Sequence, residues 1–108
     1  MSVSDYPPIE GICGATAGRW TSAGVELAFT GTSASTGPLD VGCYLLHAPS
    51  GAVRVRQGAS GVTAVGTDSY MNIFEPQTMR VTGAADNYIA AIGHAGGSGT
   101  LHIMRLDP

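Results

Sequence analysis

The sequence predicts an all-β protein: an antiparallel β-sandwich, jelly-roll-like, of about eight short strands behind an extended N-terminal arm. Three observations predict it. The chain has 108 residues, which is room for one domain and one core. Its 16 glycines recur about every six or seven residues, and an interior glycine costs a helix about 1 kcal/mol relative to alanine, so helices of ordinary length do not fit between them. The segments between the glycines alternate apolar and polar residues and carry β-branched and aromatic side chains, the pattern of strands separated by frequent turns.

Residues 1–24 read as the arm. Tyr6-Pro7-Pro8-Ile9 is extended or polyproline-like, because each proline fixes its own φ and turns its predecessor away from helix. Gly11, Gly14 and Gly18 follow, and Trp20 anchors the arm's end.

Residues 25–108 read as the sandwich. Val25 to Phe29 alternates cleanly, with Val25, Leu27 and Phe29 inward; Gly31 to Pro38 is a loop. Cys43 to Ala48 is a strand, Pro49-Ser50-Gly51 a turn, and Ala52 to Gln57 its hairpin partner. Gly58 to Gly61 turns into a short strand at Val62 to Val65, and Tyr70 to Phe74 is irregular. Thr78 to Thr82 is a strand; Gly83 to Asp86 turns into another at Asn87 to Ile92. Gly93 to Gly99 is a long glycine loop before a last strand, Thr100 to Leu106.

Charge is scarce. Charged residues make up 12% of the chain, there are five arginines and no lysine, and an average soluble domain carries about 25%. Lysine is the residue that interfaces avoid and arginine one that they favour. Three strands are also apolar on both faces: 43–48, 88–92 and 101–106. One small domain cannot cover all of those faces with its own mass, so the arm or neighbouring subunits must do so, and the expectation is an obligate oligomer. The contact residues expected from this reasoning are Tyr6, Pro7, Pro8, Ile9 and Trp20 of the arm, Tyr44 and Leu46, Met104 and Leu106, and the pair Arg54 and Arg56. The two arginines stand two apart on one strand face, suited to pairing with carboxylates on a neighbour.

The same composition excludes several chemistries. A net charge of −3 without lysine argues against a nucleic-acid partner. No stretch approaches the ~20 apolar residues of a membrane helix, and no charged segment followed by an apolar run opens the chain. The expectation is a soluble protein folding in a cytoplasm. His47, His94 and His102 form no HxH or HExxH, no CxxC occurs, and no acid lies near a histidine in sequence, so no metal, cofactor or catalytic residue is expected. Gly93 to Gly99 lacks the GK[ST] of a phosphate loop and leads into a strand. Cys13 and Cys43 are two, short of a disulfide framework; they read as buried free thiols, with a single 13–43 bridge as the alternative.

One resemblance adds to this. Val41-Gly42-Cys43-Tyr44-Leu45-Leu46-His47-Ala48, Val53 to Gly58, Gly61 to Ala64, Arg80-Val81-Thr82, Tyr88 to Ile92 and Gly97 to Ile103 resemble the small β-rich structural proteins of tailed bacteriophages. Most similar are capsid decoration, or cement, proteins. The resemblance implies a jelly roll that forms a homotrimer at threefold positions of the phage head, binds the major capsid protein through an N-terminal arm and stabilises neighbouring capsomers. It implies the capsid exterior as the place, after assembly in the host cytoplasm, and no catalysis. A small glycan-binding or adhesion module of a virion fibre, spike or tail is the alternative.

Overall fold

The computed structural model describes residues 19–20 and 24–107. The fold is all-β. Its strands are β1 (Arg19–Trp20), β2 (Val25–Phe29), β3 (Ala34–Ser35), β4 (Gly42–His47), β5 (Val53–Gly58), β6 (Ser69–Met71), β7 (Gln77–Val81), β8 (Tyr88–Gly93) and β9 (Gly99–Asp107). A short 3-10 turn, His94–Gly96, separates the last two.

Two antiparallel sheets hold these strands. In the first, β9 lies between β4 on one side and β2 and β1 on the other, and β7 forms the far edge beside β4. The second has the order β3-β8-β5-β6. The pairing is nested: β2 with β9, β3 with β8, β4 with β7, β5 with β6. That is one long hairpin, folded over so that β4 also meets β9 and β5 also meets β8. Rolling a hairpin in this way is how a jelly roll makes two sheets from eight strands.

The nesting corrects the expected hairpin of 43–48 with 52–57. β4 and β5 share no ladder; the turn at residues 49–51 carries the chain from the first sheet to the second. Local alternation cannot tell a strand that turns back beside its predecessor from one that crosses over it. The crossing is tight. A Cβ at Gly51 would stand 2.5 Å from the Ser98 carbonyl oxygen, so only glycine fits there.

The core lies between the sheets. Phe29, Leu46, Leu101 and Ile103 from the first meet Val53, Met71, Ile89 and Ala91 from the second, each large side chain contributing about 1.5–3 kcal/mol by leaving water. Leu27 and Phe29 point inward as expected, but Val25 is exposed, at the end of β2. Residues 62–65 form no strand, and the strands missed by pattern are β1, inside the expected arm of residues 1–24, β3, inside a Gly/Ser/Thr loop, and β6. All are two or three residues long, too short for a period to register.

Thr36 is the one buried polar residue of the described core, and it is satisfied. Its N–H donates to the Ile89 carbonyl at 2.9 Å and its Oγ1 accepts the Ile89 N–H at 3.2 Å, extending β3's pairing past its last residue.

Candidate interaction surface

The outer face of the β3-β8-β5-β6 sheet is built around Arg54 and Arg56. Val53 and Val55 face the core, so the strand period turns both arginines outward, as the sequence implied. Their partner is in their own chain. Arg56 Nε lies 3.2 Å from Asp68 Oδ1, and Arg54 Nη1 donates to the Asp68 carbonyl at 3.2 Å. Asp68 Oδ2 in turn accepts the Val65 N–H at 2.8 Å. At the opposite edge of the sheet the Ala64 N–H donates to Ser33 Oγ at 2.8 Å. The 59–68 loop therefore runs from β5 across the face to β3 and returns to β6. Beneath it Ala90, the outward neighbour of Arg56, is 0% exposed. The centre of the second apolar face of 88–92 is thus covered from within the chain, while Tyr88 and Ile92 at its ends are half-buried.

The guanidinium of Arg54 also lies over the Tyr70 ring, 4.9 Å from its centroid, and the His94 ring meets Tyr70 edge-on at 4.8 Å. Arg54 Nε is buried without a hydrogen bond, its cation engaged by the ring and the Asp68 carbonyl instead. Tyr70 nevertheless remains exposed, as does Val65.

Next to it the chain displays a large aromatic to solvent. Phe74 is 81% exposed. Asn72 holds it there: its Oδ1 accepts the Phe74 N–H at 3.1 Å and its carbonyl accepts the Glu75 N–H at 3.2 Å. Such an Asx turn fixes a tight local conformation without burying the side chain it presents. This turn joins β6 to β7, the facing edges of the two sheets. Between those edges opens a groove of about 230 Å³, floored by Leu46, Val55, Met71, Met79 and Ile89. Gln57 spans the gap between the sheets, its Nε2 donating to the carbonyls of Arg80 at 2.7 Å and Asp86 at 2.8 Å. Val65, Tyr70 and Phe74 are thus exposed apolar groups within ten residues of chain, around β6 and the turn that leads to β7.

The outer face of the other sheet is apolar too. Strand register lays out its rows: Leu106, Cys43 and Arg80; Met104, Leu45 and Thr78; Glu26, His102 and His47. Cys43, Leu45, Met104 and Leu106 are half-buried. Met104 and Leu106 thus lie on an outer face, as expected, but Tyr44 and Leu46 do not. They are 5% and 4% exposed and belong to the inter-sheet core. Their replacements on the outer face, Cys43 and Leu45, were missed because both sides of this strand are equally apolar in sequence.

Tyr44 is held at its tip as well: its Oη donates to the Asp40 carbonyl at 2.6 Å, and Arg105 contacts the Asp40 carboxylate at 3.7 Å. Burial pushes the Tyr44 phenol above its ordinary pKa, against the opposing pull of the Arg105 charge. Tyr6, Pro7, Pro8 and Ile9 lie outside the described residues; Trp20 is placed by its pairing with Leu106.

Cys43 is disulfide-bonded. This corrects the reading of free thiols. The chain's other cysteine, Cys13, lies outside the described residues.

Strand pairing also brings together groups that are remote in sequence. His47 faces His102, and His102 Nδ1 lies 3.6 Å from Glu26 Oε2. Among the described residues no cluster of three or more His, Cys, Asp or Glu could hold a metal ion. No helix there is long and apolar enough to cross a membrane. No protein-family model, curated protein or solved structure matches the chain.

Proposed function

We propose that the chain is a structural subunit of a phage virion, a capsid decoration protein that assembles as a trimer on the head and stabilises neighbouring capsomers. The observation that carries this reading is Phe74. Phe74 is four-fifths exposed on a fixed turn, and with the exposed Tyr70 and Val65 it supports an apolar interaction patch, the kind of surface that marks a contact site. Here it stands on the turn that joins β6 to β7, close in sequence to the exposed Tyr70 and Val65, on a chain with 12% charged residues and no lysine. Aromatic anchors in a charge-poor surround are the composition of an interface core. A repeated shell then multiplies weak contacts, so each copy need not bind tightly.

Electron microscopy of the particle with which the protein co-purifies tests this. The expected result is trimeric density at threefold positions, with the 72–76 turn at a contact with the capsid or a sister subunit. The variant Phe74→Asp is expected to stay folded and to leave the particle. Full occupancy by Phe74→Asp, or a monodisperse monomer that binds no particle, would defeat the proposal. Recognition of a sugar on a glycan array would put the adhesion module in its place.

A further inference from the structure

The groove between β6 and β7 and the exposed Phe74 belong to one patch, and each supplies what the other lacks. Ser69 to Met71 and Gln77 to Met79 flank the groove, and the 72–76 turn that carries Phe74 joins them. We infer that the groove takes the Phe74 ring of a second copy of this chain, with Glu75 of that copy set against Arg56 at the rim. The inference deepens the proposed function and rests on it: for the 72–76 turn it names the sister subunit as the partner.

Size is the first argument. The groove holds about 230 Å³ above its apolar floor. An apolar cavity of about 150 Å³ accepts a benzene, so a phenyl ring fits and leaves room for its approach. The chain's own ring does not fill the groove. Phe74 is 81% exposed, and the Asn72 turn fixes its backbone through the N–H groups of Phe74 and Glu75. A backbone that is already fixed has little freedom left to lose on docking.

Charge is the second argument. Among the described residues that line the groove, Arg56 is the charged one. Its Nε meets Asp68 Oδ1 at 3.2 Å, and its side chain is still 55% exposed. The turn carries the opposite sign. Glu75 is the charged residue of Asn72-Ile73-Phe74-Glu75-Pro76, and it is exposed beside Phe74. A guanidinium is a fork of five donors, enough to serve Asp68 and Glu75 together. An aromatic ring next to an acid therefore meets an apolar slot next to a base.

One ring does not hold two proteins together. Every copy carries both the ring and the groove, however. Copies joined in a closed assembly each make the contact twice, once with each element. Releasing one of them breaks two contacts at once, which multiplies the hold of each.

The test uses the full-length protein without any particle. Light scattering follows its mass through a concentration series. A benzophenone amino acid at position 74 reports what the ring touches, and mixing isotope-labelled with unlabelled copies separates links between chains from links within one. The expected result is an oligomer in which position 74 of one chain links to Met71 or Met79 of another. Phe74→Asp is expected to give a monomer. Glu75→Gln, which keeps the ring, is expected to weaken association severalfold. A link within one chain, or to a different face of a second copy, overturns the inference. So does a protein that stays monomeric throughout the series. If that monomer still binds the particle and Phe74→Asp does not, the capsid is the occupant and the proposed function stands. A dimer linked at Met71 or Met79 upholds the inference and counts against the trimer instead.

Discussion

The two sheets carry apolar residues on their outer faces, and they differ in how those faces are closed. On the β3-β8-β5-β6 sheet a loop of the chain's own does it, held down at both edges by polar bonds: Asp68 to Arg54 and Arg56 on one side, Ala64 to Ser33 on the other. Ala90 beneath is fully enclosed. On the sheet containing β4 and β9, Leu45, Met104 and Leu106 are only half-buried, and Cys43 beside them is disulfide-bonded. The difference teaches that a two-faced strand does not by itself announce an oligomer. One such face can be satisfied by a loop in which the decisive residue is a single aspartate, and aspartates in loops draw no attention in a sequence.

The largest effect expected from this comparison separates the two sides of β4. Leu46→Ala removes a side chain enclosed between the sheets and should cost about 3 kcal/mol. Leu45→Ala, one residue away on the half-buried outer face, should cost about 1 kcal/mol, because less apolar surface returns to water. Urea unfolding of the two variants measures both. Equal losses would mean that the outer face is closed as completely as the core, and the contrast between the two sheets would disappear.

Next in size is Asp68→Ala. The carboxylate accepts hydrogen bonds from Arg56 and from the Val65 backbone, and its side chain is only 12% exposed. Hydrogen bonds to a charged group contribute about 1.5–3 kcal/mol where they are shielded, but Arg56 is more than half exposed, which reduces its share. A loss of about 1.5 kcal/mol is expected, with hydrogen exchange quickening at Ala64 and Val65 before it does so in β8. Unchanged exchange at Ala64 would show that Ser33 alone pins the loop, and the aspartate would lose its role.

The same contrast explains what could be read without a structure. The strand content, the two-sheet class and the doubly apolar strands followed from glycine spacing and alternation. For β7, β8 and β9 the period was strong enough to place the strands within a residue or two. Three things were hidden. Nothing local reveals that β4 and β5 belong to different sheets, because the pairing that decides it joins residues as distant as Cys43 and Leu106. Nothing in Cys43-Tyr44-Leu45-Leu46 says which pair faces the core. And Phe74 sits in Asn72-Ile73-Phe74-Glu75-Pro76, where an aromatic next to an isoleucine looks like core; only the Asn72 turn and the proline after Glu75 hint that it is displayed instead. The arginine pair lies outward, as alternation implies, and Asp68 of the same chain reaches both arginines, a partner that its place in a loop does not announce.

The smallest effect concerns another turn that carries the chain between the sheets. Asp86 closes the 83–86 turn between β7 and β8. Its Oδ2 accepts the Thr82 hydroxyl at 2.6 Å, and its Oδ1 accepts the backbone N–H groups of Thr82 at 2.8 Å and Gly83 at 3.0 Å. These donors favour the ionised form, the Thr82 hydroxyl most of all, and hold the carboxyl below its ordinary pKa. The sign of the consequence follows. A lowered folded pKa adds stability that is complete above the unfolded pKa of about 3.9 and drains away as pH falls from there through the folded value. Because Asp86 lies at the surface, the effect is expected to be small and local. An NMR titration should find its carboxyl titrating below the ordinary aspartate range. Thr82→Val should raise the Asp86 pKa while leaving it depressed, since the two backbone donors remain. A titration unmoved by Thr82→Val would assign the whole depression to the backbone turn. The crossing between the sheets would then rest on backbone geometry and on the Gln57 bridge to the Arg80 and Asp86 carbonyls, not on a side chain that acid can switch.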